Sequence, residues 1–237
     1  MKNRIGICKF CGQECQLVKS HIIPKCMQLQ NKEEKLQMMM SDSNFIDTVH
    51  YQNGYTKNDI LCKKCDNFIG KYDKFAKEFL SQDFSKYIAI FKPYKMYVIS
   101  VSVDQCIKLK KFVASVVLRT SLSGNLLGGK YTQKFIQYLK GIVDNIRELE
   151  IIVRKVVNPI SDFNVLSPKS RIVERRCYLF QFFGYEFICK VDSQVWSKDL
   201  DCLLLKDNVI PILQIDRLET LGYNKLIDVA NHCSHPK

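Results

Sequence analysis

Two C-x-x-C pairs, Cys8-Lys-Phe-Cys11 and Cys62-Lys-Lys-Cys65, constrain this chain more than any other feature. Each turn offers two thiols with little backbone strain, and four soft, deprotonable sulfurs suit a tetrahedral Zn²⁺. The pairs flank residues 12–61, so a structural zinc would close that loop. Cys15 and Cys26 lie near enough in sequence to substitute as ligands. The chain carries 11 cysteines in all. Those at 106, 177, 189, 202 and 233 are scattered and are expected to be buried apolar residues. Cys233 with His232 and His235 could bind metal weakly, although a frayed terminus is the plainer reading.

The cysteines also bear on compartment. The opening MKNRIGICKFCG has no long apolar run ending in a small-residue cleavage site, so no signal peptide is expected. No apolar run reaches the ~18 residues of a membrane span. The expectation is a cytoplasmic, reducing setting, where a C-x-x-C pair is metal or redox chemistry before it is a disulfide. Neither pair closes a strong βαβ pattern, which argues against a thioredoxin-like site. Lys and Arg number 36 against 24 Asp and Glu, a formal charge of +12. That excess favours an acidic partner, most often nucleic acid.

Patterning divides the chain near residues 80–90. Residues 28–44 are polar and Met-rich and read as an inserted loop or short helix. Residues 49–62 carry an Asn53-Gly54 turn signal that suggests a hairpin. Phe68, Tyr72, Phe75 and Phe79 recur at helical spacing, so an amphipathic helix over 65–82 starts at the second cysteine pair, with Asp66 or Asn67 as its cap. Further on, a strand is expected over 94–103, a helix over 104–124 capped by Asp104, a helix over 131–146 and a strand over 148–157. Two β-rich runs over 172–191 meet near Gly184. A short strand at 202–205 and a helix around 216–231 complete the reading. The fold class is α+β, with a zinc-stapled module over 1–82 and a mixed α/β domain over 83–237 suited to dimerisation, specificity or regulation.

The segments CKFCG, SHIIPK and NDILCKKCDN together resemble the HNH endonucleases, the zinc-containing branch of the ββα-metal (His-Me finger) nucleases. In that family a C-x-x-C precedes an acid-His-hydrophobic-hydrophobic-Pro segment. An Asn-led strand then enters a second C-x-x-C followed by His or Asn. The resemblance covers residues 5–80 and implies a treble-clef-like module. Residues 108–124 and 177–187 are also similar to uncharacterised bacterial HNH-like proteins, some of them linked to phage defence.

The resemblance implies that His21 is the general base that activates water. A divalent ion, Mg²⁺ or Mn²⁺, would stabilise charge on the scissile phosphate. The residue before the base is usually an acid and here is Ser20, a weak ligand for a hard cation. The position after the second pair is Asp66, a good hard-metal ligand. The family's middle Asn falls on Lys57, so Asn58 could serve only with a bulge in the strand. His50 is a further candidate ligand without an assigned partner. Lys19, Lys25, Lys63, Lys64, Lys71 and Lys74 are placed to neutralise phosphates. Basic clusters at 108–119 and 171–176 could extend that track or contact a partner protein. The expected partner is nucleic acid, DNA before RNA, with a homodimer or a defence-system protein as further partners. The alternative is a zinc-built nucleic-acid or protein adaptor whose nuclease site has decayed.

Overall fold

The computed structural model describes residues 4–27, 37–40, 49–51, 54–91, 94–124, 127–147, 149–157, 163–172, 175–196 and 198–216. The first half holds β1 (Arg4–Ile7), β2 (Glu14–Leu17), β3 (Ser20–His21), β4 (Gln37–Met40), β5 (Val49–Tyr51), β6 (Thr56–Lys57), α1 (Lys63–Leu80), β7 (Ile88–Phe91) and β8 (Tyr94–Ser100). Then come α2 (Val103–Leu122), α3 (Gly129–Lys140), β9 (Glu150–Val157), β10 (Phe163–Ile172), β11 (Arg175–Phe182), β12 (Tyr185–Lys190) and β13 (Val209–Asp216). The fold is mixed α and β. Among the described residues, no helix is long and apolar enough to cross a membrane.

The chain forms two compact units, and neither is continuous in sequence. One comprises 1–28, 54–82 and 107–147; the other comprises 29–53, 83–106 and 148–237. A single cut after residue 82 therefore describes only part of the division. The stretch 29–53 goes to the second unit and the helical stretch 107–147 returns to the first. Both exchanges depend on pairings distant in sequence, which local composition does not encode.

The first unit is helical around two small β pairs. β1 and β2 form an antiparallel hairpin from Arg4↔Leu17 to Ile7↔Glu14. β3 and β6 pair through Ser20↔Lys57 and His21↔Thr56. α1 buries Ile69, Tyr72, Ala76, Phe79 and Leu80 at helical spacing. In α2 every residue from Phe112 to Ser121 is buried. α3 adds Phe135, Ile136, Tyr138 and Leu139 to the interior.

The second unit is a nine-stranded sheet among the described residues, in the order β5-β4-β10-β11-β12-β9-β13-β8-β7. Pairings are antiparallel except β10 with β4 and β13 with β9. β12 is buried along its whole length, so both faces of the sheet centre are covered. Phe180, Phe182 and Phe187 stack there with centroids 5.2–5.4 Å apart. Ile152, Cys177, Leu179, Ile188 and Trp196 form a second cluster. The β11–β12 connection is Phe183-Gly184, with φ of 55° and 74°. Two successive positive φ values make the tight hairpin turn whose twist suits paired strands, and glycine takes the second at no steric cost.

Several expectations change. The 28–44 stretch contributes a strand, β4, because pairing with β10 and β5 outweighs weak local propensity. Residues 28–36 and 41–48 lie outside the described set. The Asn53-Gly54 signal does not join a hairpin: β5 before it pairs with β4 in the second unit, whereas β6 after it pairs with β3 in the first. The 202–205 strand is a 3₁₀ turn over Lys198–Leu203 with one bridge at Leu204, and β13 follows it. The helix expected at 216–231, and Cys233 with His232 and His235, fall outside the described residues.

Neither helix cap is the acid expected. The Ser102 N–H donates to Gln105 Oε1 at 3.0 Å, and the Gln105 N–H donates to Ser102 Oγ at 3.2 Å. This reciprocal pair is a capping box, so Ser102 starts α2 rather than Asp104. Ser102→Ala should lower stability by about 1 kcal/mol in a denaturant melt, and Asp104→Ala by less. On α1 the N-cap position is Cys62, with no side-chain cap, which leaves Asp66 and Asn67 inside the helix.

Candidate functional site

The two cysteine pairs meet. The ligand atoms of Cys8, Cys11, Cys62 and Cys65 all lie within 4.8 Å of one another. The first pair sits in the turn of the β1–β2 hairpin. The Cys8 N–H donates to Gln13 O at 2.9 Å and the Gly12 N–H to Cys8 O at 2.8 Å. Gly12 closes this turn at φ 78°, where a side chain would be strained. The second pair opens α1, so one sulfur lies at the helix start and the other within its first turn. Cys62 also bridges Leu17, and the Lys9 and Val18 N–H groups donate to Ile60 and Leu61 carbonyls at 2.9 Å. The backbone before α1 is thereby held against the hairpin.

The donor set fits a metal. Four thiols without harder ligands are the set that selects zinc-like ions. Cys8 is fully buried, and burial alone would raise its pKa. N–H groups of Cys11, Cys62 and Phe10 outweigh that and hold the thiol at about 7. One of these donors is the Cys62 N–H, 3.3 Å from Cys8 Sγ. Such N–H donors stabilise a coordinated thiolate. Burial pushes Cys65 in the opposite direction, reinforced by hydrogen bonding to the Cys62 thiol. A metal bound by such a set takes the place of the thiol protons, which are released as it binds. The four cysteines could therefore hold a metal ion such as zinc. Cys15 and Cys26 are not among the four, although the Cys15 thiol lies against that of Cys62.

A cleft of about 570 Å³ opens in the same unit, lined by His21, Pro24, Lys25, Cys26, Asp66, Gly70, Asp73, Lys74, Lys77, Glu78 and Arg119. Its floor is one stripe of α1, because positions 66, 70, 73, 74 and 77 recur at the helical period. Its wall is the turn after β3. There the Ile22 N–H donates to Tyr55 O at 2.9 Å, and Ile22, Ile23 and Met27 are fully buried. Those anchors fix the half-exposed His21 at the rim. Burial is the main force lowering the His21 pKa, and the charges of Lys19, Lys25 and Arg119 add to it. Asp66 acts in the opposite direction on the same ring.

The cleft gathers some of the expected residues and not others. His21, Asp66, Lys25 and Lys74 line it. Ser20 does not: neighbouring residues on a strand face opposite ways, and Ser20 is fully buried with its Oγ unpartnered. The residue opposite His21 is Thr56, not Asn58, which is exposed in the bend after β6. No bulge shifts the register to bring Asn58 across. His50 belongs to the second unit. Lys63 and Lys64 are exposed at the start of α1, and the Lys71 ammonium caps the Phe68 ring at 4.0 Å. Of the 108–119 cluster, Lys108 and Lys111 lie over aromatic rings, and Arg119 is buried. In the 171–176 cluster, Arg175 bonds Gln194 and the Val195 carbonyl within the second unit.

No family model matches the chain, and comparison with curated proteins and with solved structures returns no match either.

Two lining residues, Asp73 and Arg119, were not singled out from the sequence, although Arg119 ends the basic cluster at 108–119. Arg119 Nη1 and Nη2 each donate to Asp73 at 2.8 Å, and Nη2 also donates to Ser115 Oγ at 3.2 Å. Asp73 could have been suspected as the one charged residue on the buried face of α1, because a buried charge requires a partner. Which cation would answer it, 46 residues away, could not be read.

Proposed function

We propose that the chain is a metal-dependent HNH-type endonuclease that hydrolyses DNA, with His21 as general base and Asp66 as carboxylate ligand of a catalytic Mg²⁺ or Mn²⁺. The observation that carries this reading is that His21 and Asp66 line one cleft, on a module whose hairpin and helix meet at four cysteines. The arrangement is treble-clef-like, with Zn²⁺ as the structural ion. Burial and the nearby cations favour the neutral imidazole, the form that accepts a proton. The catalytic ion, when bound, would neutralise charge on the phosphate and leaving oxygen. Of the lining acids, Asp73 is held by Arg119, and Glu78 lies 3.9 Å from Lys74. Asp66 is the carboxylate left for a cation. Lys25, Lys74 and Lys77 supply positive charge around the opening. A role in anti-phage defence rests on the resemblance alone.

Plasmid cleavage with Mg²⁺ or Mn²⁺ tests this, comparing wild type with Asp66→Ala. The variant should lose metal-dependent cutting. It should melt within about 1 kcal/mol of wild type, since Asp66 offers α1 only a first-turn charge and no cap. Equal cutting by both proteins would remove Asp66 from the reaction.

The adaptor reading is favoured by one observation. With Ser20 turned inward, Asp66 stands without the second ligand the family pattern supplies, and with Asn58 outside the cleft His21 stands without the Asn that orients the base. On that reading the protein binds DNA in a salt-sensitive way and cuts it under no divalent ion.

A further inference from the structure

We infer that Gly70 is the point at which the sugar-phosphate backbone of the nucleic acid crosses α1, its missing side chain leaving the helix bare where the strand passes Asp66 and His21. This deepens the nuclease reading and rests on the same cleft.

Gly70 is a glycine that the fold does not require. It is the eighth of the 18 residues of α1, well inside the helix. Glycine is the poorest helix former after proline, so its presence there weakens α1. Three ordinary reasons place a glycine in a helix, and none holds at this position. Gly70 is not at a helix end. It has no positive φ. Nor does it make room for a neighbouring element, because a Cβ built on it meets no atom of the surrounding protein within 4 Å. Gly6 is the contrasting case: a Cβ there would lie 3.0 Å from Leu17 Cδ1, so packing explains it.

The open space beside Gly70 is the cleft. Gly70 lies one turn after Asp66 and one turn before Asp73 and Lys74, and all four line that cleft. A helical side chain leans toward the helix N-terminus and covers the turn before its own Cα. Any side chain at position 70 would therefore lie over the turn that carries Asp66. Its absence leaves the approach to the half-exposed Asp66 uncovered. The Asp66 charge is felt at the His21 ring, so the bare turn adjoins both groups. What enters such a gap comes close to the main chain of α1. Lys25, Lys74 and Lys77 line the same cleft and are exposed. Those cations attract the sugar-phosphate backbone, and none of them reads a base.

Stability and binding should move in opposite directions. Wild type, Gly70→Ala and Gly70→Leu are melted, then titrated with a labelled DNA duplex without Mg²⁺ or Mn²⁺ at several salt concentrations. Both substitutions raise helix propensity and meet open space. Gly70→Ala should melt about 2–4 °C higher than wild type, and Gly70→Leu no lower than wild type. Gly70→Leu should nevertheless bind about tenfold more weakly, and Gly70→Ala should fall between it and wild type. The slope of log K against log salt should become shallower although no charge has been removed, because the displaced strand loses phosphate contacts. With Mg²⁺, cutting by Gly70→Leu should drop by about 100-fold as the strand is held away from His21. Wild-type affinity in a folded Gly70→Leu overturns the inference, and the nuclease reading survives that result if the variant still cuts. Should Gly70→Leu fail to fold, Gly70→Ala decides by the same comparison. A wild type that binds but never cuts, together with weaker binding by the variants, defeats the nuclease reading and leaves the contact at Gly70 standing.

Discussion

His21→Ala should lower Mg²⁺-dependent DNA cutting by about 10²- to 10⁴-fold, the range that a positioned general base contributes. The fold should persist, because the anchors of this segment are the fully buried Ile22, Ile23 and Met27 rather than the half-exposed ring. The pH profile adds a second readout. The His21 pKa lies below its ordinary 6.5, chiefly through burial and then through Lys19 and Lys25. As pH rises through that lowered value the ring sheds its proton and becomes a competent base. Cutting should therefore set in at a pH below 6.5, and Lys25→Ala should move the onset upward by removing a repelling charge. Unchanged cutting by His21→Ala in a folded, metal-loaded protein would remove the base from the reaction and favour the adaptor.

Loss of a cysteine ligand should have the largest effect on structure. Cys62 combines several tasks: it belongs to the thiol cluster, precedes α1 as its N-cap, bridges Leu17 and donates its N–H to Cys8. Structural zinc in small modules contributes ~10–16 kcal/mol of binding free energy at neutral pH. Cys62→Ser, or a strong chelator, should therefore release the ion and unfold the hairpin and the start of α1. Metal analysis by plasma emission and amide hydrogen exchange over residues 4–27 and 54–82 would record both. Cys202→Ser is the matched control and should keep the metal, because Cys202 is an exposed thiol of the second unit. A Cys62→Ser protein with wild-type metal content and exchange protection would show that the cluster holds no structural ion. Lower pH should act in the same direction as the chelator, since protons compete with the metal for thiolates.

The two candidate metal sites differ in how far a sequence can specify them. Thiol pairs at C-x-x-C spacing are local objects: each turn places its own two sulfurs, and only the meeting of the turns is long-range. The cleft is a different case. Ser20 and His21 are neighbours, and a two-residue strand sends them to opposite faces. One lines the cleft and the other is buried. The register of β3 against β6 then placed Thr56, not Asn58, across from His21. A shift of one residue turns a strand's side chains to the other face, whereas bringing Asn58 across from His21 would take a shift of two.

The same distinction runs through the whole protein. The amino-acid sequence by itself determined the four-cysteine set, the helical period of α1, the paired β runs around Gly184 and the cationic excess, because each depends on residues close in the chain or on composition alone. Only the tertiary structure decided that 107–147 returns to the first unit, that β4 and β5 leave it, and that Asp73 on α1 meets Arg119 on α2. These are contacts between segments far apart in sequence. Their energies come from burial and from matched charges in a shared interior; burial marks which face of an element is apolar, but neither marks which distant segment covers that face.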